Sequence, residues 1–122
     1  MLTKPTDTFF YLRAKYKKDR KTTKGHPIAG FLIKKDEEDN SVVISKCFLN
    51  PLDQWEYSKA RELLQKRIED RNAIKFESSE LHMISLNNLI EDAHLHSKYN
   101  KRVLKKALEE ASKTFNNTIR NV

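Results

Sequence analysis

The sequence predicts an α+β fold: an antiparallel meander of three or four strands, packed by one helix after the third strand and by two C-terminal helices. The first 50 residues hold three short runs of strand type with polar connections, whereas apolar residues at helical spacing dominate the remainder. Short connections between successive strands favour antiparallel pairing. The length of 122 residues, without a repeat or a low-complexity linker, suits a single domain over residues 1–122.

The first predicted strand covers residues 9–17, where residue types alternate. Even-numbered positions are mostly apolar and odd-numbered positions are aromatic or basic, so the two sets lie on opposite faces of the strand. The apolar set is Phe10, Leu12, Ala14 and Tyr16, and the other set is Phe9, Tyr11, Arg13, Lys15 and Lys17.

The next two strands are predicted over residues 27–33 and 41–49, the second of them β-branched at its start. Four acids and Asn40 lie between them and are typical of a turn. Residues 73–77 are a candidate for a short fourth strand, and whether they join the sheet decides whether the first strand lies at an edge.

The helical half of the sequence begins after Asn50-Pro51-Leu52-Asp53, a start signal for a helix or a turn. Residues 54–71 favour a helix with Ala60, Leu63, Leu64 and Ile68 on one apolar stripe. Apolar residues recur at helical spacing again from Ser85 onward, which predicts the two C-terminal helices. A long stripe over residues 103–119 is expected to pack across the sheet, with a homodimer seam as the alternative.

Positive charge is concentrated near the N-terminus. The chain carries a net charge of +7, yet residues 1–35 alone hold ten Lys/Arg against two Asp. Residues 36–57 are acidic and residues 58–122 are weakly basic. Such a basic segment favours nucleic acid or an acidic protein surface as the partner, although some basic patches are only solvated.

The first strand and the loop after it combine cations for phosphates with flat rings for bases, as single-stranded nucleic acids require. A solvated face, with Phe9 and Tyr11 covered by a later helix, is the alternative. Arg67 and Arg71, four residues apart on the predicted helix, would extend the surface unless neighbouring acids pair with them. The candidate residues are Tyr11, Arg13, Lys15, Lys17, Lys18, Arg20, Lys21, Lys24, Arg67 and Arg71.

The sequence predicts a protein that catalyses no reaction and binds no metal or cofactor. With 2 glycines, the chain cannot form a glycine-rich phosphate loop or a GxSxG elbow. On a helix, His94 and His96 would point in roughly opposite directions, so they and the nearby Glu91, Asp92 and His82 make a poor zinc site. Cys47 and His26 could form a nucleophile pair, but no third residue is found to orient them.

The sequence favours a cytoplasmic protein without a membrane partner. No stretch approaches the ~20 apolar residues that span a bilayer, and residues 1–10 lack the apolar core of a secretory signal. The single cysteine cannot form an internal disulfide, which fits a reducing compartment.

Two segments within residues 25–71 stand out, Gly25-His26-Pro27 and Asn50-Pro51-Leu52-Asp53-Gln54-Trp55. They match a G-x-P strand and an N-P-x-D-Q-aromatic motif, and through them residues 25–71 resemble small uncharacterised proteins of tailed bacteriophages. Residues 60–63 correspond to their G-R-x-[IL] segment, with Ala60 in place of the usual Gly. The resemblance implies an accessory role inside a bacterial host and brings no activity with it.

Two functions follow as hypotheses. The first is a non-enzymatic accessory protein that binds DNA or RNA through the basic, aromatic first strand and loop. The second is a protein that binds and modulates an acidic host protein, such as a component of a defence system, which the phage resemblance implies. A homodimer through the C-terminal helix is compatible with either hypothesis.

Overall fold

The computed structural model of the protein describes residues 7–14, 26–36, 40–49, 54–91, 95, 99 and 101–121. It confirms the predicted α+β fold, with a sheet of four strands. The strands are β1 (Asp7–Ala14), β2 (His26–Asp36), β3 (Ser41–Phe48) and β4 (Ile74–Phe76). The helices are α1 (Tyr57–Glu69), a 3₁₀ helix (Ser78–Met83), α2 (Leu86–Ile90) and α3 (Lys101–Arg120).

The sheet is an antiparallel meander in the order β1-β2-β3-β4. Asn40, with φ of 58°, occupies the left-handed region in the turn before β3, a conformation that Asn tolerates better than most residues. The candidate fourth strand is present, because Ile74–Phe76 pairs with residues 42–44 of β3. Among the described strands, β1 therefore lies at one edge of the sheet and β4 at the other.

Helices cover both faces of the sheet. The even-numbered side chains of β1 face α2 and α3, and Phe10 lies opposite Phe31 of β2 in the larger hydrophobic core. The other face packs against α1, where Leu32 and Cys47 meet Leu64. The predicted alternation of β1 thus separates a core face from an α1 face.

The long apolar stripe of α3 packs across the sheet, as the sequence favours. Phe115 is fully buried, and its ring lies 5.2 Å from that of Phe10 and 6.0 Å from that of Phe31. The side chains of this stripe are buried in the core of their own chain, so they do not form a surface that could bind a partner. Its buried members are Leu104, Ala107, Leu108, Phe115 and Ile119.

The helix α1 is shorter than the predicted 54–71 at both ends. Glu56 precedes its first turn in an extended conformation. At the other end, the amide of Arg71 donates to Ile68 O at 3.1 Å, and that of Asn72 donates to Arg67 O at 2.7 Å. These two bonds form a Schellman motif, which places Arg71 in the left-handed region with φ of 59°.

Two predictions about side chains of α1 are wrong. Arg67 and Arg71 do not share a helical face, because the Schellman motif turns the chain away before Arg71. Leu63 does not join the apolar stripe, since it is 41% exposed while Ala60 and Leu64 are buried. The buried stripe of α1 is narrower than its sequence suggests.

None of the helices in the described residues is long and apolar enough to cross a membrane.

Candidate nucleic-acid interface

The predicted aromatic and basic face of β1 meets the start of α1. Phe9, Tyr11 and Arg13 stand on this face at alternate positions of the strand. They contact three side chains from residues 55–61, and we call the six residues together the Arg–aromatic cluster. Its members are Phe9, Tyr11, Arg13, Trp55, Tyr57 and Arg61.

Three aromatic rings form the centre of the cluster. The centroid of Tyr11 lies 5.9 Å from that of Trp55 and 5.0 Å from that of Tyr57. The centroids of Trp55 and Tyr57 are 6.2 Å apart, and all three contacts are edge-to-face. Each such contact contributes about 0.5–1.5 kcal/mol of interaction energy beyond that from buried apolar area. The three rings therefore hold one another in place. Tyr57 remains 38% exposed.

Two guanidinium groups lie among these rings. Arg61 donates from Nε to the hydroxyl of Tyr11 at 3.2 Å, and its Cζ lies 5.5 Å from the ring centroid of Phe9. Arg13 donates from Nη2 to the hydroxyl of Tyr57, with its Cζ 5.8 Å from the ring centroid. Both oxygen partners are neutral phenols, and within the described part of the chain neither arginine forms an ion pair with a carboxylate. The positive charge of both arginines is therefore not neutralised there.

A glycine in β2 makes room for Trp55. Gly30 pairs with Tyr11 on one side and Cys47 on the other. A Cβ at Gly30 would lie 3.2 Å from Cη2 of Trp55 and 3.3 Å from Sγ of Cys47, which is closer than side chains normally pack. The absent side chain thus lets the indole ring lie on the sheet.

Two side-chain hydrogen bonds join the helix α1 to β3. The buried Ser45 donates from Oγ to the carbonyl oxygen of Leu64 at 2.9 Å. Arg67 donates from Nη1 to the carbonyl oxygen of Lys46. These bonds satisfy polar groups between the helix and the sheet, and they fix the position of α1 over the strands.

Cys47 is buried beside Trp55. Burial raises the pKa of its thiol, while the charge of Arg67 and a hydrogen bond with the backbone of Gly30 partly oppose this shift. His26 does not lie near it: His26 is opposite Ala14, four residues along β2 from Gly30, or about 13 Å. The considered Cys47–His26 nucleophile pair is therefore not assembled.

The predicted binding residues have different positions. Tyr11 and Arg13 are half-buried and belong to the cluster. Arg67 is half-buried against β3, and Arg71 is exposed beyond the end of α1. The remaining candidates, Lys15, Lys17, Lys18, Arg20, Lys21 and Lys24, lie outside the described residues.

Sequence reasoning did not place Trp55, Tyr57 and Arg61 at this site. The available signal was the pair of aromatic residues just before the helix formers of α1, but their target strand is more than 40 residues away. The alternative, in which a later helix covers Phe9 and Tyr11, is realised in part. Both side chains are half-buried where they meet α1 and the residues before it.

No group of three His, Cys, Asp or Glu side chains among the described residues is arranged to hold a metal ion. Asp92, His94 and His96 of the considered metal cluster lie outside these residues.

No protein-family model, curated protein or solved structure matches this chain.

Proposed function

We propose that the protein binds single-stranded nucleic acid, without catalysing a reaction, through the Arg–aromatic cluster. The observation that carries this proposal is the pairing of Arg13 and Arg61 with phenol oxygens instead of carboxylates. A guanidinium with a neutral partner keeps its charge for a phosphate, and its planar fork suits phosphate geometry. The rings beside it offer stacking surfaces for bases.

A single strand fits this arrangement better than a duplex. Stacking on Tyr57 requires an accessible base face, which duplex bases hide inside the helix. Arg13 of the cluster lies next to the last residue of β1, and five further lysines and one arginine follow in residues 15–25 of the sequence. The positive charge of this segment would add to the attraction of the strand's phosphates.

The phage resemblance of residues 25–71 extends the proposal to an accessory role in an infected bacterium. DNA and RNA are both compatible with the cluster, because stacking and phosphate contacts do not distinguish the two sugars.

The first test is the ratio of absorbance at 260 nm to that at 280 nm for the purified protein, before and after nuclease treatment in high salt. We expect a high ratio that falls to the protein value. Fluorescence anisotropy should then show tighter binding of a labelled single strand than of a duplex of equal length. A protein-like ratio from the start, together with no binding of either oligonucleotide at low salt, would contradict the proposal.

A protein partner is the second candidate, and the edge position of β1 favours it. In the described residues, β1 pairs only with β2, so its outer side is placed to accept a strand from another chain. A bacterial protein that stays bound after nuclease treatment would support this candidate, since nucleic acid could not then bridge the two proteins.

A further inference from the structure

A groove adjoins the Arg–aromatic cluster on the α1 side of the sheet. Its volume is about 400 Å³, at the small end of the range of small-molecule sites. Trp55 belongs both to the groove and to the cluster, so the two surfaces are continuous. A strand bound on the cluster would pass beside the groove.

The lining of the groove combines buried apolar groups with exposed side chains of both kinds. Cys47 and Ala60 are buried members, and the indole ring of Trp55 is half-buried. Gln54 and Leu63 are exposed members. A ligand in the groove would therefore meet an aromatic ring, apolar atoms and an amide.

The charged groups of the lining balance each other. Glu56 and Lys59 are its acidic and basic members, and they form an ion pair of 3.3 Å between Oε2 and Nζ. The groove thus offers no net positive charge to a phosphate, in contrast to Arg13 and Arg61 a short distance away. This division favours a neutral, flat group in the groove and a phosphate outside it.

We propose that the groove receives one unstacked base of the single strand bound on the Arg–aromatic cluster, an inference that rests on the proposed function. A nucleobase has apolar faces and a polar edge, which match the ring of Trp55 and the amide of Gln54. Glutamine amides form hydrogen bonds with base edges, and proteins commonly hold splayed bases against aromatic rings. The backbone of the strand stays outside, on the two arginines.

The test fills the groove and compares two ligands of equal charge. Leu63→Phe enlarges an exposed lining residue, so the core is left intact. Met83→Phe is the matched control, because Met83 is 62% exposed and lies outside the groove lining. The ligands are a ten-residue deoxythymidine strand and a ten-residue abasic deoxyribose-phosphate strand. Thermal unfolding midpoints verify that each variant is folded.

We expect Leu63→Phe to weaken binding of the deoxythymidine strand by about tenfold, the effect of losing one stacked base, and to leave binding of the abasic strand unchanged. Met83→Phe should change neither affinity. Gln54→Ala should weaken only the base-containing ligand, by a smaller factor. Trp55 is the single tryptophan of the sequence. Its fluorescence should be quenched by the deoxythymidine strand in the wild type, and the quenching should be weaker in Leu63→Phe.

Equal affinities of wild type and Leu63→Phe for both strands would overturn the assignment of the groove, although the proposed function would stand as long as both strands bind. Equal weakening of both strands by Leu63→Phe would also overturn it, since the loss would then not depend on a base. Failure of the wild type to bind either strand would instead refute the proposed function.

Discussion

Replacement of Arg71 by glycine should stabilise the protein. Arg71 occupies the position after the C-cap of α1 where the Schellman motif requires a left-handed backbone, and its φ is 59°. This conformation costs an L-residue roughly 1–2 kcal/mol, whereas glycine adopts it freely. Glycine also gives the unfolded chain more conformational freedom, which reduces this stabilisation by about 0.4–1 kcal/mol. The net gain is about 1 kcal/mol, or about 4 °C in the unfolding midpoint.

Arg71→Ala is the matched control, because it removes the same exposed side chain but retains the penalty of a left-handed backbone. Urea unfolding of the three proteins, followed by circular dichroism, should place Arg71→Gly above both wild type and Arg71→Ala. Both variants remove one positive charge, so any effect on nucleic-acid binding should be the same in both. Equal stabilities of Arg71→Gly and Arg71→Ala would refute the assignment of the Schellman motif.

Three further predictions concern the core and the support of the cluster. Gly30→Val should destabilise the fold by about 2 kcal/mol in urea unfolding, because the new side chain would overlap Trp55; an unchanged midpoint would contradict this contact. Phe115→Ala should cost about 4 kcal/mol in the same assay, and a loss below about 1 kcal/mol would show that Phe115 is not in the core. Because the pKa of Cys47 is raised, the folded state holds the thiol proton more tightly than the unfolded state does. The free energy of unfolding of wild type should therefore fall more than that of Cys47→Ala between about pH 8 and pH 10. Parallel pH curves would exclude that difference.

The sheet and the C-terminal helix could be predicted because each has a strong period. Alternation in the first strand placed Phe10 and Leu12 on the core face and Tyr11 and Arg13 on the other, as observed. The stripe of α3 repeats over five turns, which determines its buried face with little ambiguity. These patterns are local, so one sequence suffices to recognise them.

The ends of α1 could not be predicted in the same way. The helix formers continue through Arg71, but the hydrogen bonds of the Schellman motif end the helix at Glu69, without the glycine that normally marks this motif. At the other end, Asn50 and Pro51 resembled a start signal, whereas the first helical residue is Tyr57. Leu63 fits the apolar spacing, but its side chain is 41% exposed, whereas that of the adjacent Leu64 is fully buried.

The composition of the candidate site also depended on tertiary structure. The face of β1 that carries Tyr11 and Arg13 was predictable from alternation, but its partners were not. Tyr57 and Arg61 reach it only because α1 is fixed over the sheet through Ser45 and Arg67, contacts between residues about 20 positions apart. Local sequence patterns contain no information on that placement.

The salt dependence of single-strand binding by wild type and by Arg13→Gln/Arg61→Gln decides whether the Arg–aromatic cluster binds phosphates. Each phosphate contact on a single strand contributes about −0.7 to the slope of log K against log salt concentration. Loss of both arginines should therefore make the slope shallower by about 1.4, with weaker binding throughout. Lys105→Gln/Lys106→Gln, which removes two exposed charges from α3, should leave the slope unchanged. An unaltered slope in the arginine variant, or an equal change in both variants, would contradict the assignment of the Arg–aromatic cluster as the phosphate-binding surface.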